Sequence, residues 1–145
     1  MQVHNLRTHQ MHPHAIIAAA MGQTKENALV DEWREILDRH ARVRCALTHA
    51  LEHQHGLGMS EFEVLERLAD EGDCAVRVAD IAEHVHLSQS ALSRVLDRLE
   101  KHGFLKRGVC DNDRRAIFAE LTPAGRERYE AARPTHREVL GRELS

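Results

Sequence analysis

Aromatic residues are scarce, with one Trp, one Tyr and three Phe among 145 residues, or 3%. So little ring surface excludes a nucleic-acid reader that stacks bases on an aromatic platform. Cysteines number three, Cys45, Cys74 and Cys110, widely spaced and without a CxxC pair. A disulfide framework is thereby excluded, and a reduced, cytoplasmic compartment fits. Apolar runs are short. None approaches the length of a membrane span, and Ala15–Met21, flanked by Arg7 and several His, does not read as a signal peptide. Also missing are a glycine-rich phosphate loop, a nucleophile elbow and an H-E-x-x-H zinc motif. Thr48-His49-Ala50-Leu51 lacks the glutamate that would follow His49. An enzyme is not expected, and neither is a cofactor. Finally, the chain has no excess of positive charge: 20 basic residues face 23 acidic ones, for a net −3.

What is present is a 42% apolar fraction, enough for a packed core in one domain with arms. The charge is also uneven. From Ser88 to Arg115, seven bases (Arg94, Arg98, Lys101, Lys106, Arg107, Arg114, Arg115) face four acids (Asp97, Glu100, Asp111, Asp113), a local +3. A basic patch in an acidic chain is the footprint that phosphates attract.

That patch overlaps residues 79–107, where Ile81, Ala82 and Val85 predict a short helix with one apolar face. Ser88 can cap a second helix, because its hydroxyl accepts from a free first-turn amide. Leu92, Val95, Leu96 and Leu99 give this helix a core stripe, and Gln89, Ser90, Ser93, Arg94, Asp97 and Lys101 an outer face. Gly103 stops it. Two short helices, the second presenting Gln, Ser and Arg near its start, form the helix-turn-helix layout.

The flanks complete the plan. Residues 1–22, rich in His and interrupted by Pro13, read as an N-terminal arm without regular structure, with a helix packed on the dimer or a metal-binding tail as the alternatives. From 23 to 58 a long helix over Lys25–His55 carries Leu29, Trp33, Ile36, His40, Val43, Leu47 and Ala50 in a seam of fours and threes, the spacing of a subunit interface. Residues 59–121 form a DNA-binding lobe. It opens with an S-x-x-E capping box, Ser60 to Glu63. A strand-like link follows at Cys74–Val78, and a wing closes it, with strands Phe104–Cys110 and Ala116–Leu121 around the polar tip Asp111–Arg115. Residues 122–145 make a C-terminal helix, with Thr122 as cap and Pro123 at its first position, to which the resemblance given next assigns dimerisation. Pro134 is expected to kink or break that helix. The fold class is mostly α with a small β-wing: a winged helix-turn-helix with flanking dimerisation helices.

Six stretches in this order resemble the multiple antibiotic resistance regulator (MarR) family: Phe62–Leu68, Asp80–Ala82, Ser88–Glu100, Gly103–Arg107, Asp111–Arg115 and Leu121–Gly125. The resemblance covers roughly residues 25–140. It implies a homodimer on a pseudo-palindromic operator in double-stranded DNA, usually repressing, with a small-molecule pocket between the dimer helices and the lobe. Family members commonly continue into a further helix beyond the last one seen here, so a smaller interface is expected. The wing tip carries Asn112 where relatives often have a base.

For DNA contact, the candidates are Ser88, Gln89, Ser90, Ser93, Arg94, Arg98, Arg114 and Arg115. Gln89 can bond adenine and Arg94 guanine through base edges, while the serines can reach phosphate or bases. Trp33 resembles the Trp that the family's urate-responsive branch carries on an N-terminal helix beside a ligand pocket, and Asp73 and Arg77 are the candidate pocket partners for an anionic ligand. No metal is expected, His49 and His53, four apart on one helix face, being weak candidates for a metal pair, and Cys110 beside Arg107 is the candidate oxidant sensor. A metal- or oxidant-sensing regulator of the same fold is one alternative. A winged-helix dimerisation module that does not bind DNA is the other.

Overall fold

The computed structural model describes residues 13–110 and 112–145. Its elements run α1 (Pro13–His55), α2 (Met59–Asp70), β1 (Val76–Arg77), α3 (Val78–Val85), α4 (Gln89–Lys101), β2 (Leu105–Cys110), β3 (Asp113–Leu121) and α5 (Pro123–Leu144). By compactness the chain divides into two units, 1–41 and 42–145.

In the first unit, helix begins at Pro13 and not at the expected Lys25. Residues 13–22 show no hydrophobic period, but period is needed for packing, not for helix formation. Proline suits the first helical position, and Ala15, Ala18, Ala19 and Ala20 carry the strongest helix propensity. The part of the arm before Pro13, with His4, His9 and His12, lies outside the described residues. Up to Ala41 the described side chains are exposed, Leu29, Val30, Trp33, Ile36 and Leu37 among them.

The second unit holds the core. Leu51, Leu57, Phe62, Leu65, Leu68, Ile81, Leu92, Leu96, Leu99 and Leu105 are fully buried in one cluster. The expected capping box is displaced by two residues. Gly58 is the N-cap of α2, and the Glu61 carboxylate accepts its amide at 3.1 Å. Ser60 lies inside the helix. Burial of Leu57 forces the chain to turn at Gly58, and Glu61 then stands three residues on, where a carboxylate can reach back.

Two of the three strands are those expected of the wing. The antiparallel sheet has the order β1-β3-β2, with Leu105 opposite Leu121 and Val109 opposite Ile117. A bulge interrupts the ladder between Val109 and Cys110, and β3 starts at Asp113, which shortens the expected tip.

The Thr122 hydroxyl caps α5 by accepting from Gly125 N at 3.0 Å. Gly125 is required by space: a Cβ there would lie 1.9 Å from the Phe104 carbonyl oxygen. Of the kink or break expected at Pro134, the break does not occur: α5 continues through it. The proline is exposed, so its ring sits on the solvent side. The next residue, Thr135, is held by a 2.8 Å hydrogen bond between its hydroxyl and the His55 ring.

Candidate nucleic-acid interface

Helix α4 owes its placement to its own sequence. Leu92, Val95, Leu96 and Leu99 are buried, which turns Gln89, Ser90, Ser93, Arg94, Asp97 and Arg98 outward. Ser88 is engaged as the cap: its Oγ accepts from Ala91 N at 3.2 Å and lies 3.3 Å from the Ser90 hydroxyl. One of the helix's free amides is thus satisfied, and the others stay at the positive end of the helix dipole. Before it, the turn passes through His86 in the left-handed region at φ 52°, the one described non-glycine residue there. Gly103, at φ 75°, turns the chain from α4 into β2.

Gln89, Ser90, Ser93 and Arg94 therefore share one exposed face at the start of α4, and Arg94 forms no ion pair among the described residues. Arg98, one turn further on, is held: its Nε donates to Glu61 Oε1 at 2.8 Å. At the other edge, Arg107 of β2 spans two acids of α4. Its Nη2 donates to Asp97 Oδ1 and its Nε to Glu100 Oε2, each at 2.6 Å. Partial desolvation pulls against its charge, but the two carboxylates outweigh it and raise the guanidinium's pKa. On the wing, Arg114 and Arg115 are exposed on β3. The carboxylate of Asp113 lies outside the described side chains. Neither Glu61 nor Arg107 stood out in the sequence as a partner of α4, since Glu61 lies 37 residues from Arg98.

The candidate effector residues belong to both units, Trp33 to the first and Asp73 and Arg77 to the second. Trp33 is 57% exposed in the first unit. In the second unit, the exposed Asp73 carboxylate stands 3.5 Å from Arg126, and the Arg77 guanidinium lies 5.8 Å from the centre of the Phe118 ring. Arg77, Asp80, Glu71 and Phe118 border a cleft of about 210 Å³. His49 and His53 have nearly parallel rings 6.0 Å apart. Among the described residues no group of three or more His, Cys, Asp or Glu is placed to hold a metal. Cys45 and Cys74 are exposed free thiols, and the side chain of Cys110 lies outside the described residues. Behind the helix-turn-helix, burial pushes the Glu63 carboxyl above its usual range. Arg44 opposes that rise, Glu66 adds to it, and His86 and His84 oppose it.

A helix-turn-helix with a three-stranded wing, its second helix capped by serine and outwardly polar, is the winged helix-turn-helix class. The MarR family's model matches residues 57–117. The chain is 30% identical to AbsC, a MarR family transcriptional regulator from Streptomyces coelicolor, covering 77% of this chain and 75% of that one with a TM-score of 0.72. It is 28% identical to Sco3205 from the same organism, a MarR family regulator solved in complex with DNA, covering 83% and 74% with a TM-score of 0.75. The HTH-type transcriptional regulator MhqR of Bacillus subtilis (strain 168) is 37% identical over 73 residues, 50% of this chain and 49% of MhqR. The chain thus spans about half the length of that curated relative. This chain belongs to the MarR family, and these relatives are transcriptional regulators, not enzymes.

Proposed function

We propose that this protein is a cytoplasmic transcriptional regulator, a repressor that grips a pseudo-palindromic operator as a homodimer and releases it when a small effector binds. One observation carries the reading: α4 buries its whole apolar stripe and leaves Gln89, Ser90, Ser93 and Arg94 on a single exposed face at its N-terminal end. Those side chains offer the donors and acceptors that major-groove base edges and flanking phosphates pair with. Arg114 and Arg115 on the wing and the local +3 supply backbone attraction in a chain that is acidic overall. The complex of Sco3205 with DNA supports the same use of the fold.

The exposed apolar seam of α1, Leu29, Trp33, Ile36 and Leu37, supports dimerisation, since a second copy would cover it. A dimer straddling an operator blocks access to that DNA, which makes repression the simplest outcome. No helix among the described residues is long and apolar enough to cross a membrane.

The test is selection of bound duplexes from a random pool, followed by a gel shift over a range of salt. The reading expects a two-fold repeated sequence, bound with affinity that falls steeply as salt rises. Recovery of no enriched sequence, with no shift at low salt, overturns it in favour of a dimerisation module. For the effector, titration of Trp33 fluorescence with urate and related organic acids is expected to show saturable quenching. A flat titration removes Trp33 from the effector site.

A further inference from the structure

Glu61 divides one carboxylate between two structural tasks. Its Oε2 accepts the backbone amide of Gly58 at the start of α2. Its Oε1 accepts from Arg98 on the outer side of α4. Only 15% of the Glu61 side chain is exposed, against 56% for Arg98. The carboxylate is therefore seated in the body of the lobe and the guanidinium reaches in to it. On the opposite edge, Arg107 binds Asp97 and Glu100 to the wing. Helix α4 is consequently held on two sides by ion pairs in addition to its buried apolar stripe. Close packing seats the stripe, and charge-assisted hydrogen bonds add a directional constraint on the rotation of the helix.

We propose that Glu61 is a positioning residue for DNA reading: through Arg98 it fixes the rotation of α4 and so the reach of Gln89, Ser93 and Arg94. Arg98 then acts as the strut of this pair and not as a phosphate contact. Because Glu61 also caps the turn that follows the end of α1, the same carboxylate ties the reading helix to the Leu57–Gly58 corner. This inference rests on the DNA-binding reading above. It adds a residue that touches no DNA.

The substitution Glu61→Gln isolates the pair. The amide oxygen can still accept from Gly58, but the carboxylate charge that holds Arg98 is gone. Arg98→Gln and the double variant complete a cycle. Binding is measured to the duplex that the wild-type protein itself selects from a random pool and to an unrelated duplex of the same length, across salt concentrations. Each single variant is expected to weaken binding to the selected duplex roughly three- to tenfold, with the double variant no weaker than either. Binding to the unrelated duplex and the salt slope should stay as in wild type, and thermal melting confirms the fold. The inference is overturned if Glu61→Gln leaves or tightens binding to the selected duplex. It is equally overturned if Arg98→Gln weakens both duplexes and lowers the salt slope by about 0.9, the mark of a lost phosphate contact. If the wild type selects no duplex, the DNA-binding reading itself fails, and this inference falls with it for that separate reason.

Discussion

Two amphipathic helices in this chain meet opposite fates. In α4 the apolar residues Leu92, Val95, Leu96 and Leu99 are buried by the lobe that contains them. In α1, up to Ala41, residues of the same character, Leu29, Val30, Trp33, Ile36 and Leu37, stand exposed. Further along the same helix, Leu47 and Leu51 are buried again. The difference teaches that a hydrophobic period predicts a covered face without saying what covers it. In α4 the cover is the rest of the lobe, which frees the polar face to read a ligand. In α1 we propose that it is a second copy of the chain, because exposed apolar seams of this extent are costly in water.

The comparison is broken most severely by damaging the lobe. Phe62→Ala should cost about 3–5 kcal/mol in a denaturant melt, since Phe62 is fully buried and packs on Tyr129 and His136. Substitution in the α1 seam should act on assembly. Trp33→Ala is expected to weaken the dimer by about 2–4 kcal/mol, read by sedimentation equilibrium, and an unchanged dissociation constant would remove Trp33 from the interface. Arg94→Ala should cost about 1–3 kcal/mol of affinity for the selected duplex while leaving the melt in place. Ser88→Ala removes the cap of α4 and should lower stability by about 1 kcal/mol, a change the melt can resolve.

The smallest effect is one of pH. His136 is buried on α5 with its ring 4.4 Å from that of Phe62 and its Nδ1 2.6 Å from Arg137, whose guanidinium also pairs with Glu66. Burial, reinforced by the Arg137 charge and partly offset by Glu66, lowers its pKa below the ordinary 6.5. Below about pH 6.5 the unfolded chain binds a proton that the folded one resists. Stability is therefore full above that pH and declines as pH falls toward the depressed value. Glu63 has the opposite sign, since its raised pKa makes stability decline as pH rises through it. His136→Phe should flatten the decline on the acid side of pH 6.5 in melting experiments, and a slope equal to wild type would exonerate His136.

Much of the lobe was legible because its signals are local. Ser88 precedes its helix, Gly103 follows it, and four apolar residues between them share one stripe, so α4 could be read within a window of sixteen residues. The Thr122-Pro123 start of α5 is equally local. Residues whose roles depend on distant partners were not legible. Nothing near Glu61 announces that Arg98 will stand 2.8 Å away, and Arg107 gave no sign of bridging Asp97 and Glu100. The capping of α2 was misread because Ser60-x-x-Glu63 and Gly58-x-x-Glu61 both have a glutamate at the right offset, and burial of Leu57 chose between them. Of the kink or break expected at Pro134, the break does not occur, because a single exposed proline does not outweigh the packing of Tyr129, Ala132, His136 and Val139 on either side. The polar outer face of α4 was legible as an exposed face because the stripe opposite it is buried.

The central claim is that two copies of α4, held by the paired α1 seams, read two half-sites together. Hydroxyl-radical footprinting of the wild-type protein on its selected duplex tests this most directly. Two protected patches are expected, their centres one helical turn (roughly 34–36 Å) or a multiple of it apart, both lost in Arg94→Ala at matched concentration. A single protected patch, or two that persist when Arg94 is removed, would contradict it.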